Sequence, residues 1–153
     1  MGGLGKPGIL RPGSSVPGRT RTGRAIVYSA RMRGLHLTAD LYQCRCEPRW
    51  LADGQALAGW ARQAVEAVGL EVLQEVVQPA EDADGASVVL LLAHSHVCVH
   101  TWPRQRGATV DVHLASGAGD CSAKARGLMY ALVHRFTPEW TEQRSLDRGT
   151  EVT

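Results

Sequence analysis

The sequence predicts an α+β fold, a two-layer α/β sandwich in which one antiparallel sheet carries helices on one face. Three observations lead there. Short apolar or alternating runs of strand length recur along the chain. Two longer stretches repeat apolar residues at three- and four-residue steps, and pairs of the short runs separate the long ones. The 153 residues suffice for one domain, which at this size buries roughly two-thirds of the surface its unfolded form exposes.

Residues 1–25 contain Lys6-Pro7-Gly8 and Arg11-Pro12-Gly13-Ser14-Ser15, many chain breakers and no apolar periodicity. They read as a flexible basic tail, with the domain expected over residues 30–149 and a short C-terminal tail at 150–153. His36 to Tyr42 alternates Leu37, Ala39 and Leu41 with polar or aromatic neighbours, which suits a half-buried strand. Leu51, Leu57, Ala58, Ala61, Ala64, Val65 and Val68 form the stripe of one amphipathic helix that Gly69 stops. Glu71 to Val77 reads as a strand, Gln78 to Gly85 as a polar connection, and Ser87 to Ala93, continuously apolar, as a buried strand. Val97 to Trp102 is a strand ended by Pro103, and Ala108 to Ala115 is another. Gly117, Gly119 and Asp120 turn the chain into a helix over Ser122 to Phe136 that buries Ala125, Leu128, Leu132 and Phe136, with Pro138 just beyond it. Glu142 to Leu146 supplies a last strand.

Composition narrows the function. With 44% hydrophobic residues, 21% charged and a net charge of +2, the chain falls among ordinary globular proteins. Seven Lys and Arg lie in residues 1–33 with no acid, leaving ten basic against fifteen acidic side chains in the rest. A nucleic-acid binder puts its positive charge on a folded face among aromatics, so no nucleic-acid partner is expected. No apolar stretch is long enough to cross a bilayer and the N-terminus lacks the apolar core of a secretory signal, so the expected location is the cytoplasm, with no membrane partner. Cys44, Cys46, Cys98 and Cys121 read as free thiols there.

The chemistry concentrates in Ser87-Val-Val-Leu-Leu-Leu-Ala-His94-Ser95-His96-Val-Cys98-Val-His100-Thr101-Trp102-Pro103. Desolvating several imidazoles at a buried strand is costly unless each finds a partner. His94, His96, Cys98 and His100 share strand parity, which leaves a zinc site open, although ligands at every second residue of a flat strand rarely converge on one ion. His100 alone also reads as a core histidine satisfied by a backbone carbonyl. Ser95 and His100 differ in parity, so any chemistry they share requires a turn or bulge after Ser95. Trp50, Trp60, Trp102 and Trp140 read as packing residues, and His36 and Asp111 as groups holding strand ends.

This segment resembles the prokaryotic S-adenosylmethionine decarboxylase family, whose hallmark is Glu-Ser-His running into His-Thr-Trp-Pro-Glu. The chain has His94-Ser95-His96 and His100-Thr101-Trp102-Pro103-Arg104, and the similarity extends over about residues 36–149, including His36-Leu-Thr-Ala-Asp-Leu-Tyr42. The resemblance implies a self-cleaving proenzyme with no resident metal. The Ser95 hydroxyl attacks the His94 carbonyl, His100 removes the Cα proton of the esterified serine, Ser87 assists, and the cut between His94 and Ser95 leaves a pyruvoyl group formed from Ser95. That cofactor forms a Schiff base with a small-molecule amine substrate and draws off electrons as carbon dioxide leaves. The resemblance also implies a homodimer of cleaved protomers and a place in polyamine biosynthesis.

Three positions depart from the family pattern. His94 replaces a glutamate, but only its main-chain carbonyl reacts. Ala115 replaces the cysteine that reprotonates the product, leaving His113, Ser116 or Cys121 as donors, with His113 favoured because an imidazolium donates near neutral pH. Arg104 replaces the glutamate that accepts hydrogen bonds from the substrate ribose, and Arg only donates. Some members of the family decarboxylate L-ornithine or L-arginine, so those substrates stand beside S-adenosylmethionine. A non-catalytic regulatory homologue and a small metal-binding protein are the remaining readings.

Overall fold

The computed structural model describes residues 32–79, 84–117 and 119–149, so both expected tails lie outside the described residues. The elements are β1 (Gly34–Tyr42), α1 (Arg49–Ala52), α2 (Gly54–Ala67), β2 (Gln74–Pro79), β3 (Ala86–Leu92), β4 (Ser95–Trp102), β5 (Gly107–Ala115), α3 (Ser122–Phe136) and β6 (Trp140–Arg148). The strands form one sheet in the order β2-β3-β4-β5-β1-β6, every neighbouring pair antiparallel. The expected two-layer sandwich is therefore the architecture found. No helix among the described residues is long and apolar enough to cross a membrane.

Period-two alternation decides which face is covered. Leu35, Leu37, Ala39 and Leu41 of β1, Val97 and Val99 of β4, and Val110, Val112 and Leu114 of β5 point to one side. There they meet Leu57, Ala58, Ala61 and Val65 of α2 and Ala125, Leu128, Leu132 and Phe136 of α3. Each fully buried Leu or Phe contributes about 1.5–3 kcal/mol, so this seam carries most of the stability.

Two expectations need correcting. The single helix over Leu51 to Val68 is two helices, because Asp53 is extended and its carboxylate accepts from the backbone N–H groups of Gln55 and Ala56, both at 3.0 Å. An N-cap residue that satisfies two orphan donors starts a helix even inside an unbroken apolar stripe. The continuous apolar run of β3 is not buried throughout: Val88, Leu90 and Leu92 are, whereas Leu91 is 47% exposed on the other face.

Among the described residues no helix packs on that other face. By register it presents Tyr42, Val76, Leu91, Trp102, Trp140 and Leu146, all exposed, around a belt of histidines. Exposed apolar side chains gathered on one face in this way mark an interaction face.

Thr101 fixes the far end of the β3–β4 hairpin. It is buried, donates from Oγ1 to the Leu51 carbonyl at 2.7 Å and accepts from the Ala86 N–H at 2.9 Å, tying α1 to the sheet. Gly85 adopts φ +117° there, and a Cβ on it would overlap the Thr101 carbonyl, so only glycine fits.

Candidate active site

Leu92 pairs with Ser95, which leaves Ala93 and His94 as a two-residue turn between β3 and β4. His94 has φ +54°, the left-handed region that costs a residue with a Cβ about 1–2 kcal/mol. The peptide expected to be cut thus begins at a strained residue. Ser95, the first residue of β4, is only 8% exposed, and its Oγ accepts from the Ala115 N–H at 2.9 Å. Ala115, where the family cysteine is missing, is therefore next to Ser95 in space.

Ser87 and His100 lie opposite each other across β3 and β4, with Ser87 Oγ 2.7 Å from His100 Nδ1. They sit at the other end of the hairpin from Ser95. β4 runs without interruption from Ser95 to Trp102, so the turn or bulge that the sequence reading required is absent. Five residues of extended strand separate Ser95 from His100 by about 16 Å. Their side chains also leave opposite faces, with Ser95 on the helix side and His100 on the open side. Within one chain, sequence proximity is misleading here.

The Ser87–His100 pair lines a cleft of about 300 Å³ together with Gln78, Asp84, Thr101 and Trp102. The Trp102 ring is 6.4 Å from the His100 ring. Asp84 and Gln78 were not singled out from the sequence, because Asp84-Gly85 signals only a turn. Arg104 is exposed at the edge of this region, with its Nε 3.7 Å from Asp84 Oδ2, while Asp84 Oδ1 is buried and finds no partner among the described residues.

At the Ser95 end, the open face holds three imidazoles. The His36, His96 and His113 rings lie 5.3 to 5.9 Å apart, and His36 Nε2 is 3.2 Å from Asp111 Oδ1. His36 and Asp111 are thus satisfied by each other across β1 and β5. Burial, followed by the neighbouring His36, holds His96 below the ordinary imidazole value of 6.5. Burial, followed by His96 and His36, does the same to His113. His113 is two residues from Ala115 on β5. Cys98 opposes Asp111, and burial with that carboxylate raises its thiol, keeping it protonated.

The alternative donors are placed differently. Cys121 Sγ donates to the Leu114 carbonyl at 3.2 Å and is 3.1 Å from Ser116 Oγ. Leu114 C=O and Ala115 N–H belong to one trans peptide and point to opposite sides, so Cys121 and Ser95 sit across that peptide from each other. The four cysteines are free thiols. Cys44 is pushed up to about 11 by burial, then by Cys46. Among the described residues no group of three or more His, Cys, Asp or Glu is arranged to hold a metal ion, which gives the zinc reading no support.

Residues 35–149 match the family model described as S-adenosylmethionine decarboxylase. The chain is 32% identical over 120 residues to the S-adenosylmethionine decarboxylase proenzyme of Hydrogenobaculum sp., covering 78% of this chain and 84% of that one. It is 32% identical over 126 residues to the proenzyme of Sulfolobus acidocaldarius, covering 82% and 97%. Among solved structures it resembles the adenosylmethionine decarboxylase of Aquifex aeolicus, with a TM-score of 0.69 and 26% identity over 79% of this chain and 94% of that one.

Proposed function

Because the chain belongs to the S-adenosylmethionine decarboxylase family, we propose that it is a proenzyme that cuts itself between His94 and Ser95 and then acts as a pyruvoyl-dependent carboxy-lyase of polyamine biosynthesis, with S-adenosylmethionine as substrate. The observation that carries this reading is the setting of Ser95. Its hydroxyl is desolvated, held by one N–H and directly follows a carbonyl at a strained turn. In the rearrangement, Ser95 Oγ bonds to the His94 carbonyl carbon as the C–N bond breaks, and its proton passes to the freed nitrogen. A base then takes the Ser95 Cα proton and the Cβ–Oγ bond breaks, releasing a fragment that ends in the His94 carboxylate. Water replaces the nitrogen of the remaining dehydroalanine, releasing ammonia and leaving the ketone.

His100 is that base, and it acts from a second copy. The two ends of the hairpin, one with Ser95 and one with Ser87 and His100, are brought together if two sheets stack open face on open face about a two-fold axis lying across the strands. Such a pairing also covers the exposed Tyr42, Leu91, Trp102 and Trp140. It enlarges the 300 Å³ cleft, which alone lies at the lower limit for a small-molecule site. When His100 Nδ1–H donates to Ser87 Oγ, the Nε2 lone pair is free to accept the Cα proton.

The pyruvoyl carbonyl supplies the electron sink for loss of carbon dioxide. The chain's own residues orient the substrate and return a proton. His113, whose lowered value makes its imidazolium scarcer near neutral pH but a stronger acid, serves as the donor in place of the side chain that Ala115 lacks. Asp84, whose Oδ1 has no partner among the described residues, supplies at the cleft the carboxylate that position 104 does not, and accepts from the substrate's hydroxyl or ammonium groups.

A decarboxylation assay with S-adenosylmethionine, L-ornithine and L-arginine side by side tests the reading. Turnover is expected with S-adenosylmethionine and none from Ser95→Ala. Preference for a basic amino acid transfers the substrate assignment to that amine, and processing without turnover of any of the three makes the chain a regulatory homologue.

A further inference from the structure

We propose that the helical layer carries a second ligand site, a cleft between α1, α2 and α3 that takes a small molecule bearing a carboxylate or phosphate oxyanion. The cleft has a volume of about 600 Å³, within the range of small-molecule sites, and its lining includes Arg45, Trp50, Trp60, Tyr130, His134 and Arg135. It belongs to the side of the sheet away from the histidine belt and near the Tyr42 end of β1, whereas Ser95 and Ala115 lie at the Gly34 end.

Arg135 is the lining cation held by the cleft's tryptophans. The guanidinium carbon lies 4.4 Å from the Trp50 ring centre and 3.8 Å from that of Trp60, and the Arg49 guanidinium also lies over Trp50 at 4.6 Å. Two aromatic rings hold the Arg135 fork and displace water from it, so its orientation is set before anything binds. Among the described residues no carboxylate pairs with Arg135, although Arg45 in the same cleft is already engaged by Glu139 at 3.1 Å. Two buried donors there, Arg135 Nε and Trp60 Nε1, have no acceptor among the described residues.

An unsatisfied buried donor costs about 1–3 kcal/mol, more when charged. Both donors belong to residues in the walls of one cleft, where an acceptor brought in by a ligand would offset that cost. An oxyanion offers several lone pairs in the plane that a guanidinium fork recognises. Glu47 also lines the cleft and opposes an anion, but Arg45, Arg135 and His134 lie on the same walls. The exposed ring of Tyr130, edge-on to His134, offers a stacking surface at the rim for a flat ligand.

Tryptophan fluorescence of the full chain, titrated at constant ionic strength with inorganic phosphate, citrate and AMP, tests the proposal. Sodium chloride serves as the control. Trp50 and Trp60 report directly, and a saturable change with at least one probe is expected. Arg135→Gln should weaken that binding about tenfold or more, the loss of one charge-assisted pair. Tightest binding of AMP, lost with Tyr130→Ala, identifies a phosphate carried on a flat ligand, and equal response to phosphate and citrate identifies the oxyanion alone. Should Arg135→Gln fail to fold, Arg135→Lys keeps the stem and charge but not the fork, and a clear loss of affinity is still expected. A response no different from chloride with all three probes overturns the proposal, as does unchanged affinity in a folded Arg135 variant.

Discussion

Co-expression of Ser95→Ala with His100→Ala tests whether two copies share the work of cleavage. His100 lies five residues along an unbroken strand from Ser95, about 16 Å. Its ring leaves the opposite face, so no rotation of the side chain brings it to the His94–Ser95 peptide of its own chain. Each variant expressed alone should stay uncut, the first for want of a nucleophile and the second for want of a base. A mixed dimer contains one complete site, with the His94–Ser95 backbone of the His100→Ala chain against Ser87 and His100 of the Ser95→Ala chain. With random pairing, roughly half of the His100→Ala chains find such a partner and convert to two fragments, while no Ser95→Ala chain does. Distinct affinity tags and intact-mass spectrometry count the two populations. Mixed dimers that purify together and remain uncut would refute the shared site, as would cleavage of His100→Ala alone at the normal rate.

Replacing Thr101 with Val keeps the shape but strands the Leu51 carbonyl and the Ala86 N–H, both buried. The expected cost is about 2–5 kcal/mol, read by calorimetry as a fall in Tm of about 10 °C, and an unchanged Tm would mean that these bonds tie α1 to the sheet less firmly than their geometry implies. His96 and His113 are held below 6.5 when folded, so the folded state binds fewer protons than the unfolded one as the pH falls past that value. Their contribution to stability is complete above pH 6.5 and is lost as the pH falls through the lowered folded values. Tm should therefore drop between pH 7.5 and 5.5, and His96→Gln/His113→Gln should flatten that slope. His113→Gln should leave cleavage intact while lowering kcat by about 10²-fold, with Ala115→Cys restoring much of the loss. If His113→Gln turns over normally, the proton comes from another group.

Much of the fold was legible because period controls it. The stripe of Ala125, Leu128, Leu132 and Phe136 marks α3 at its observed bounds, and the alternation around Leu37, Ala39 and Leu41 marks β1. The break at Asp53 was hidden because apolar spacing continues across it, and only the carboxylate's bonds to Gln55 and Ala56 reveal the cap. Apolar run length could not distinguish a strand buried on both faces from β3, whose Leu91 faces the open side. At the candidate site, residue identity was legible and distance was not. The pairing of Ser87 with His100 follows from hairpin register, which is set by the two-residue turn at Ala93 and His94. The same register carries His100 away from Ser95, which the short spacing of the two residues along the sequence does not reveal. Asp84 escaped notice because its role depends on a fold that brings the end of β2 and the start of β3 against Trp102.

Intact-mass analysis of the purified wild-type chain bears most directly on the claim that Ser95 remakes its own backbone. The account predicts one fragment ending in His94 and a second beginning at position 95 with a ketone in place of an amine, which gains two hydrogens on borohydride treatment. A single uncut chain with Ser95 intact, unreactive to borohydride after prolonged incubation, contradicts it.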